Sequence, residues 1–300
     1  MSSVCSNLVK FSKNQEIIKD LSRFLQTWDY KSVETVEEFK EDIPQVVKEL
    51  VEAVFSGKDV SAEVPDLITE VVHSEVYDTL FYRIKQQHHK EDLRVYQMSI
   101  EFCKTGGTPK QLGHTIYNFI PSASVVELSM LNNKNTPKDK LDCLQTTYDY
   151  IFAEVKSALI SVISKYSEKE IDLPLINNKE VIPIVMAVIL KSKMFYFVSD
   201  MAYIELFADD ILEKNVDLKF ILMVFKESLK NILKMSDLTV HCDNLSSDKL
   251  ENKLSVCDTI SFIEKLDKKQ EGDPSILQEE RLRVAKLITV ATTQGLEEND

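Results

Sequence analysis

Val181-Ile182-Pro183-Ile184-Val185-Met186-Ala187-Val188-Ile189-Leu190, near the middle of the chain, contains no polar side chain and constrains the fold more than any other stretch. Asn177-Asn178 before it can cap a helix, and Glu180 falls in the first turn, where its charge complements the helix dipole. Pro183 is close enough to that start to be tolerated. The run stops at Lys191, too short to cross a bilayer core of roughly 30 Å. A helix that is apolar nearly all round has to be central and covered by several neighbours. A second helix start lies upstream, where Thr136 is the N-cap, Pro137 occupies a position with no intrahelical N–H partner to lose, and Asp139 faces the dipole. Behind it Leu141, Leu144, Tyr148, Ile151, Phe152 and Val155 recur at helical spacing. Six glycines and eight prolines in 300 residues leave little turn punctuation, and 44% hydrophobic content suffices for a substantial core. The expected class is all-α.

Charge and motif content remove several functions. The formal net charge of -13 argues against a nucleic-acid surface and against electrostatic adhesion to anionic lipid. Cys5, Cys103, Cys143, Cys242 and Cys257 are odd in number and lack CxxC or Cys/His spacing, so neither a disulfide framework nor a zinc site is expected. They fit a reducing compartment. Residues 1–7 show no basic segment followed by an apolar core, so no signal peptide is expected. The expected place is the cytosol, with membranes reached through partners and not by direct insertion. No G-x-S-x-G, H-E-x-x-H or GxGxxG occurs, and His73, His114 and His241 are isolated. Gln86-Gln87-His88-His89-Lys90 reads as a solvated polar break, with Asp92 beyond it as a helix cap. Gly106-Gly107-Thr108-Pro109 lacks the Lys-Ser/Thr of a nucleotide loop and reads as a linker. No metal, cofactor, or hydrolase, transferase or redox site is expected.

Taken in order, the chain gives a helical pattern over 8–25, a turn around Trp28 and Tyr30, and a helix to Phe55 whose core face is Phe39, Ile43, Val46, Val47, Leu50, Val54 and Phe55. Gly57 ends it. The next helix begins after Pro65 and reaches about Ile84, and helical segments follow from Glu91, after Val198 and from Leu218 to Met235, with acidic turns at 208–210 and 213–217. A polar loop is expected over 236–248, then helices over 250–266 and 275–292 and a frayed end from Gln294. This organises the chain as an N-terminal helical bundle (1–90), a core (91–236) and a C-terminal loop with helices (237–300).

Thr136-Pro137-Lys138-Asp139-Lys140-Leu141, then an acidic residue before Val181-Ile182-Pro183, then Ser199-Asp200-Met201-Ala202-Tyr203-Ile204 follow one another at a characteristic spacing. These segments resemble the vacuolar-protein-sorting-nine (VPS-nine) domain, with its (T/S)P(R/Q)(D/E)KL helix, DD-hydrophobic-LP helix and SN-hydrophobic-x-YI segment. Phe119 to Asn133 resembles the loop and helix that precede them, and Glu75 to Ile84 and Glu91 to Met98 stand where the family has further helices. The resemblance implies an all-helical exchange factor for small GTPases of the Rab-five subfamily on early endosomes. Such a factor inserts an acidic group where Mg²⁺ and the β-phosphate are held, giving the GTPase's phosphate-binding lysine a substitute partner. The matching acid is Glu180, with Lys179 where the family has a second acid. The resemblance assigns GTPase contacts to Pro183, Asp200, Tyr203, Lys219 and Leu222. Asp200 replaces an Asn, and Lys219 and Leu222 replace a Tyr and a Thr whose hydrogen bonds they cannot repeat. The alternative is a degenerate adaptor that binds a Rab or another trafficking partner without catalysing exchange.

Overall fold

The computed structural model describes residues 23–33, 35–55, 64–113, 117–166 and 178–235. Of these 84% are helical and none is in a strand, so the chain is all-α where it is described. The elements are α1 (Val36–Phe55), α2 (Val64–Lys104), α3 (Ser122–Ser129), α4 (Pro137–Tyr166), α5 (Asn178–Ser192), α6 (Phe197–Phe207), α7 (Asp209–Lys214) and α8 (Val216–Lys234), with 3-10 turns at Pro109–Gln111 and Met130–Asn133. Residues 23–27 are also helical. The remainder of the pattern expected over 8–25, the Asn177 cap, Cys5, His114, and everything expected from 236 to 300, including His241, Cys242 and Cys257, lie outside the described residues.

α2 departs most from the sequence reading. The expected polar break at Gln86–Lys90 does not exist, and one helix of 41 residues, about 60 Å long, runs through it. No Gly or Pro occurs between Asp66 and Lys104, and Gln, Lys, Arg and Glu are good helix formers, so polarity there marks an exposed face. The histidines belong to that face, and His88 Nδ1 stands 4.0 Å from the Glu91 carboxylate one turn on. The helix stops where glycine arrives. Gly106 takes φ +73°. Its N–H donates to the Cys103 carbonyl at 3.3 Å, and the Gly107 N–H donates to that of Phe102 at 2.9 Å. This pair of bonds is a Schellman closure, so the expected linker is a tight cap. A Cβ on Gly107 would lie 2.5 Å from the Phe102 carbonyl oxygen. Gly107→Ala is therefore expected to cost roughly 1–3 kcal/mol, read as a lower urea unfolding midpoint.

The chain forms two compact units that interleave in sequence. Among the described residues, the first takes those up to Tyr96 with 129–145 and 194–222, and the second takes the remainder. The border expected at residue 90 falls inside α2. In the first unit, α1 opens with a capping box. The Glu38 N–H donates to Thr35 Oγ1, and the Thr35 N–H donates to Glu38 Oε2, both at 3.2 Å. Phe39, Ile43, Val46 and Leu50 of α1 and Ile68, Val72, Val76, Leu80 and Ile84 of α2 then repeat every three or four residues into one core with Tyr203 of α6.

In the second unit, Val181 and Ile184 to Leu190 of α5 are buried, as an all-round apolar helix requires. The Ser192 hydroxyl donates to the Val188 carbonyl, and its oxygen lies 3.2 Å from that of Val125. α3 has its N-terminal groups capped from a distance: Glu154 of α4 accepts from the Ser122 hydroxyl, the Ala123 N–H and both the N–H and hydroxyl of Ser124. A carboxylate at that end satisfies unpaired donors and meets the positive end of the dipole.

Candidate functional site

Thr136 caps α4 as its sequence implies, accepting the Asp139 N–H at 3.0 Å on Oγ1. The turn it starts sends Lys140 inward, fully buried. Lys140 Nζ donates to Asp200 Oδ1 at 2.7 Å and to the Leu131 carbonyl at 3.1 Å. The rings of Tyr77, Phe81 and Tyr203 surround the ammonium at 5.1, 5.2 and 5.9 Å. Burial pushes the Asp200 carboxyl up to about 6 against the opposing pull of Lys140, and burial lowers the Lys140 ammonium. Asp200 Oδ2 is buried with no hydrogen-bond partner among the described residues. The Asp in place of the family's Asn thus supplies the counter-charge that Lys140 needs.

The start of α6 has no cap of its own. Asp92 of α2 provides one, accepting the Val198 N–H at 2.8 Å and the Ser199 N–H at 3.2 Å on Oδ1 and the Ser199 hydroxyl on Oδ2. Burial raises the Asp92 carboxyl, while these bonds pull it down. Asp92 is a helix cap, as expected, but for a helix a hundred residues away in the chain. Nearly two turns into α6, the Tyr203 hydroxyl donates to the Asn135 carbonyl at 3.0 Å and lies 3.3 Å from His73 Nδ1. With its only proton committed to Asn135, Tyr203 can meet His73 only as acceptor, which assigns the neutral imidazole's proton to Nδ1.

His73 is buried, and burial lowers its imidazole to about 4. The unfolded chain binds a proton at this residue below about 6.5, whereas the folded chain refuses it until about 4, so His73 removes stability as pH falls through that window. Relative to His73→Phe, the native chain is expected to lose roughly 2 kcal/mol between pH 7 and pH 5, measured by paired urea unfolding curves.

The residues singled out in the sequence therefore divide. Asp200 and Tyr203 are fully buried and meet around Lys140, where they fix the start of α6. Their side chains present no surface to a partner. In α6, Phe197 to Met201, Tyr203 and Ile204 are all buried. Glu180 lies in the first turn of α5, half-exposed. Pro183 is buried inside the same helix and packs near Gly113, where an added Cβ would come within 3.0 Å of its Cγ. Lacking an N–H, Pro183 makes no i→i−4 bond to the Lys179 carbonyl. On α8, Lys219 is exposed, but Leu222 is buried and the exposed residue beside it is Met223, 57% accessible. Sequence reasoning missed Lys140 and Glu154 as contributors, because a cap or counter-charge from a distant helix leaves no local signal.

Residues 122–237 match the family model of the Vacuolar sorting protein 9 (VPS9) domain. The chain carries a VPS9 domain. No curated protein matches the chain significantly. VPS9 domains bind Rab GTPases and act in general as their nucleotide exchange factors. The VPS9 match opens at Ser122, on the carboxylate of Glu154, and closes just beyond α8. Inside it, Lys140, Ser199, Asp200 and Tyr203 are framework, while Glu180 and Lys219 reach solvent. Among the described residues, no three His, Cys, Asp or Glu side chains could hold a metal, and no single helix is long and apolar enough to cross a membrane.

Proposed function

We propose that this VPS9 domain promotes GDP release from a GTPase of the Rab-five subfamily, with Glu180 as the acidic finger. What supports this reading most is the position of Glu180: a half-exposed carboxylate in the first turn of a helix whose following residues are almost all buried. Such a carboxylate is held by a rigid element and has little freedom to retreat. Brought to the nucleotide site of a GTPase, it competes with Mg²⁺, repels the β-phosphate and offers the phosphate-binding lysine an alternative ion pair, so GDP affinity falls. Switch contacts on α8 are assigned to its exposed side, with Lys219 and Met223, and not to Leu222.

The adaptor reading has one observation of its own. Lys219 and the apolar α8 residues next to it lack the hydroxyls of the family's Tyr and Thr, so binding can persist without the hydrogen bonds that open a switch. Release of a fluorescent GDP analogue from a panel of Rab-five-subfamily GTPases, together with a pull-down of the nucleotide-free forms, separates the two. Acceleration on any member supports exchange; binding without acceleration establishes the adaptor. The chain is expected to act from the cytoplasm at early endosomes, recruited by partners, and a tagged chain that stays evenly dispersed in cells would contradict that.

A further inference from the structure

Pro183 weakens the turn that carries Glu180. Without an N–H it gives the Lys179 carbonyl no helical donor, so the first turn of α5 is tied by one bond fewer than an ordinary turn. Beyond it the helix is fixed by burial, since Ile184 to Leu190 are at most 2% exposed. Glu180 and Pro183, three residues apart, are neighbours on the helix surface. The place of the Glu180 carboxylate therefore depends on what the Pro183 ring leans on.

That support is Gly113. A Cβ added there would lie 3.0 Å from Pro183 Cγ and 3.7 Å from Pro183 Cβ, and among the described residues it would meet nothing else within 4 Å outside its chain neighbours. Gly113 does not take a positive φ, so its backbone would accept any L side chain. The glycine answers to the proline ring alone. The segment that bears it is stiff: the Thr108 N–H donates to Gln111 Oε1 at 3.1 Å, the Leu112 N–H to the Pro109 carbonyl at 2.9 Å and the Lys110 N–H to Asn118 Oδ1 at 3.3 Å. Its turn at Pro109–Gln111 packs on α5. Between this bonded turn and the buried body of α5, a group added at position 113 displaces the part least held, which is the turn with Glu180. We infer that Gly113 is a positioning residue that sets where the Glu180 carboxylate stands, acting through the Pro183 ring. Its part in GDP release rests on the exchange reading above.

The test compares four full-length chains: native, Gly113→Ala, Pro183→Ala and the double variant. Gly113→Ala is expected to lower the kcat of stimulated GDP release about tenfold, since a misplacement of about 1 Å costs on the order of a hundredfold and the added Cβ asks for roughly half of that. KM for the GTPase should stay within about twofold, because the contacts assigned to α8 are untouched, and the variant should melt as the native chain does. Pro183→Ala deletes the Cγ that the new Cβ meets, so Gly113→Ala should have no effect in that background, an outcome that a general loss of folded protein would not give. Crystal structures of the native chain and Gly113→Ala, superposed on Ile184 to Leu190, read the position of the Glu180 turn whether or not any GTPase responds. The expected result is a displaced turn. Native kcat in Gly113→Ala, an equal loss in both backgrounds, or a Glu180 turn that stays in place would each overturn the inference. A native chain that accelerates no GTPase would overturn the exchange reading instead, and the superposition then decides the role of Gly113 alone.

Discussion

Lys140→Met is expected to cost roughly 3–5 kcal/mol of stability at pH 7, the range for removing one partner of a buried ion pair. Methionine fills the volume between Tyr77, Phe81 and Tyr203 well enough, so the loss is chiefly electrostatic. Asp200 would be left buried with neither oxygen bonded to a cation, and the Leu131 carbonyl would lose its donor. The sign of the pH dependence follows from Asp200. Burial already raises its carboxyl to about 6 with Lys140 present, and removing the cation raises it further. The folded variant then binds a proton that the unfolded chain releases above about 4, so the variant regains stability as pH falls towards 5. Adding Asp200→Asn to Lys140→Met should restore most of the loss by removing the charge. Urea unfolding of the two variants at pH 7 and pH 5.5 checks all three statements. A Lys140→Met cost below about 1 kcal/mol would mean that water reaches the pair.

The second large effect is on activity. Glu180→Ala is expected to slow stimulated GDP release by about a hundredfold, the scale seen when one electrostatic group aimed at developing charge is removed. The stability cost should stay within about 1 kcal/mol, the scale for a half-exposed charge in a first helical turn. Glu180→Asp restores the family's own residue, one methylene shorter, and should retain most of the rate. An equal loss for Asp and Ala would point to reach, and not charge, as the requirement.

Local signals made much of this fold legible. The Thr136 cap, the apolar stripe of α1 and the all-round apolar α5 each follow from neighbours in the sequence. What was not legible depends on distant partners. Asp92 was readable as a cap, but the helix it caps begins at Phe197, and nothing near either residue says so. The polar stretch at Gln86–Lys90 resembled a loop only because its apolar contacts lie elsewhere on α2. The same limit affects the site. Family motifs mark Asp200 and Tyr203 without saying whether they face a partner or the core, and burial answers that they face the core. On α8 the two residues that the family resemblance pairs differ in exposure, Lys219 being exposed and Leu222 buried, and local sequence gives no sign of it. Lys219 and Met223, four residues apart on one helical face, are what solvent sees.

The most direct test of the central claim is the rate of fluorescent GDP release from Rab-five-subfamily GTPases, with the native chain, Glu180→Ala and Glu180→Asp side by side and equal folding verified by circular dichroism. The expected result is acceleration by the native chain on at least one GTPase, loss of it in Glu180→Ala and its retention in Glu180→Asp. Acceleration that survives Glu180→Ala undiminished would contradict the acidic finger, and no acceleration on any member would contradict exchange itself.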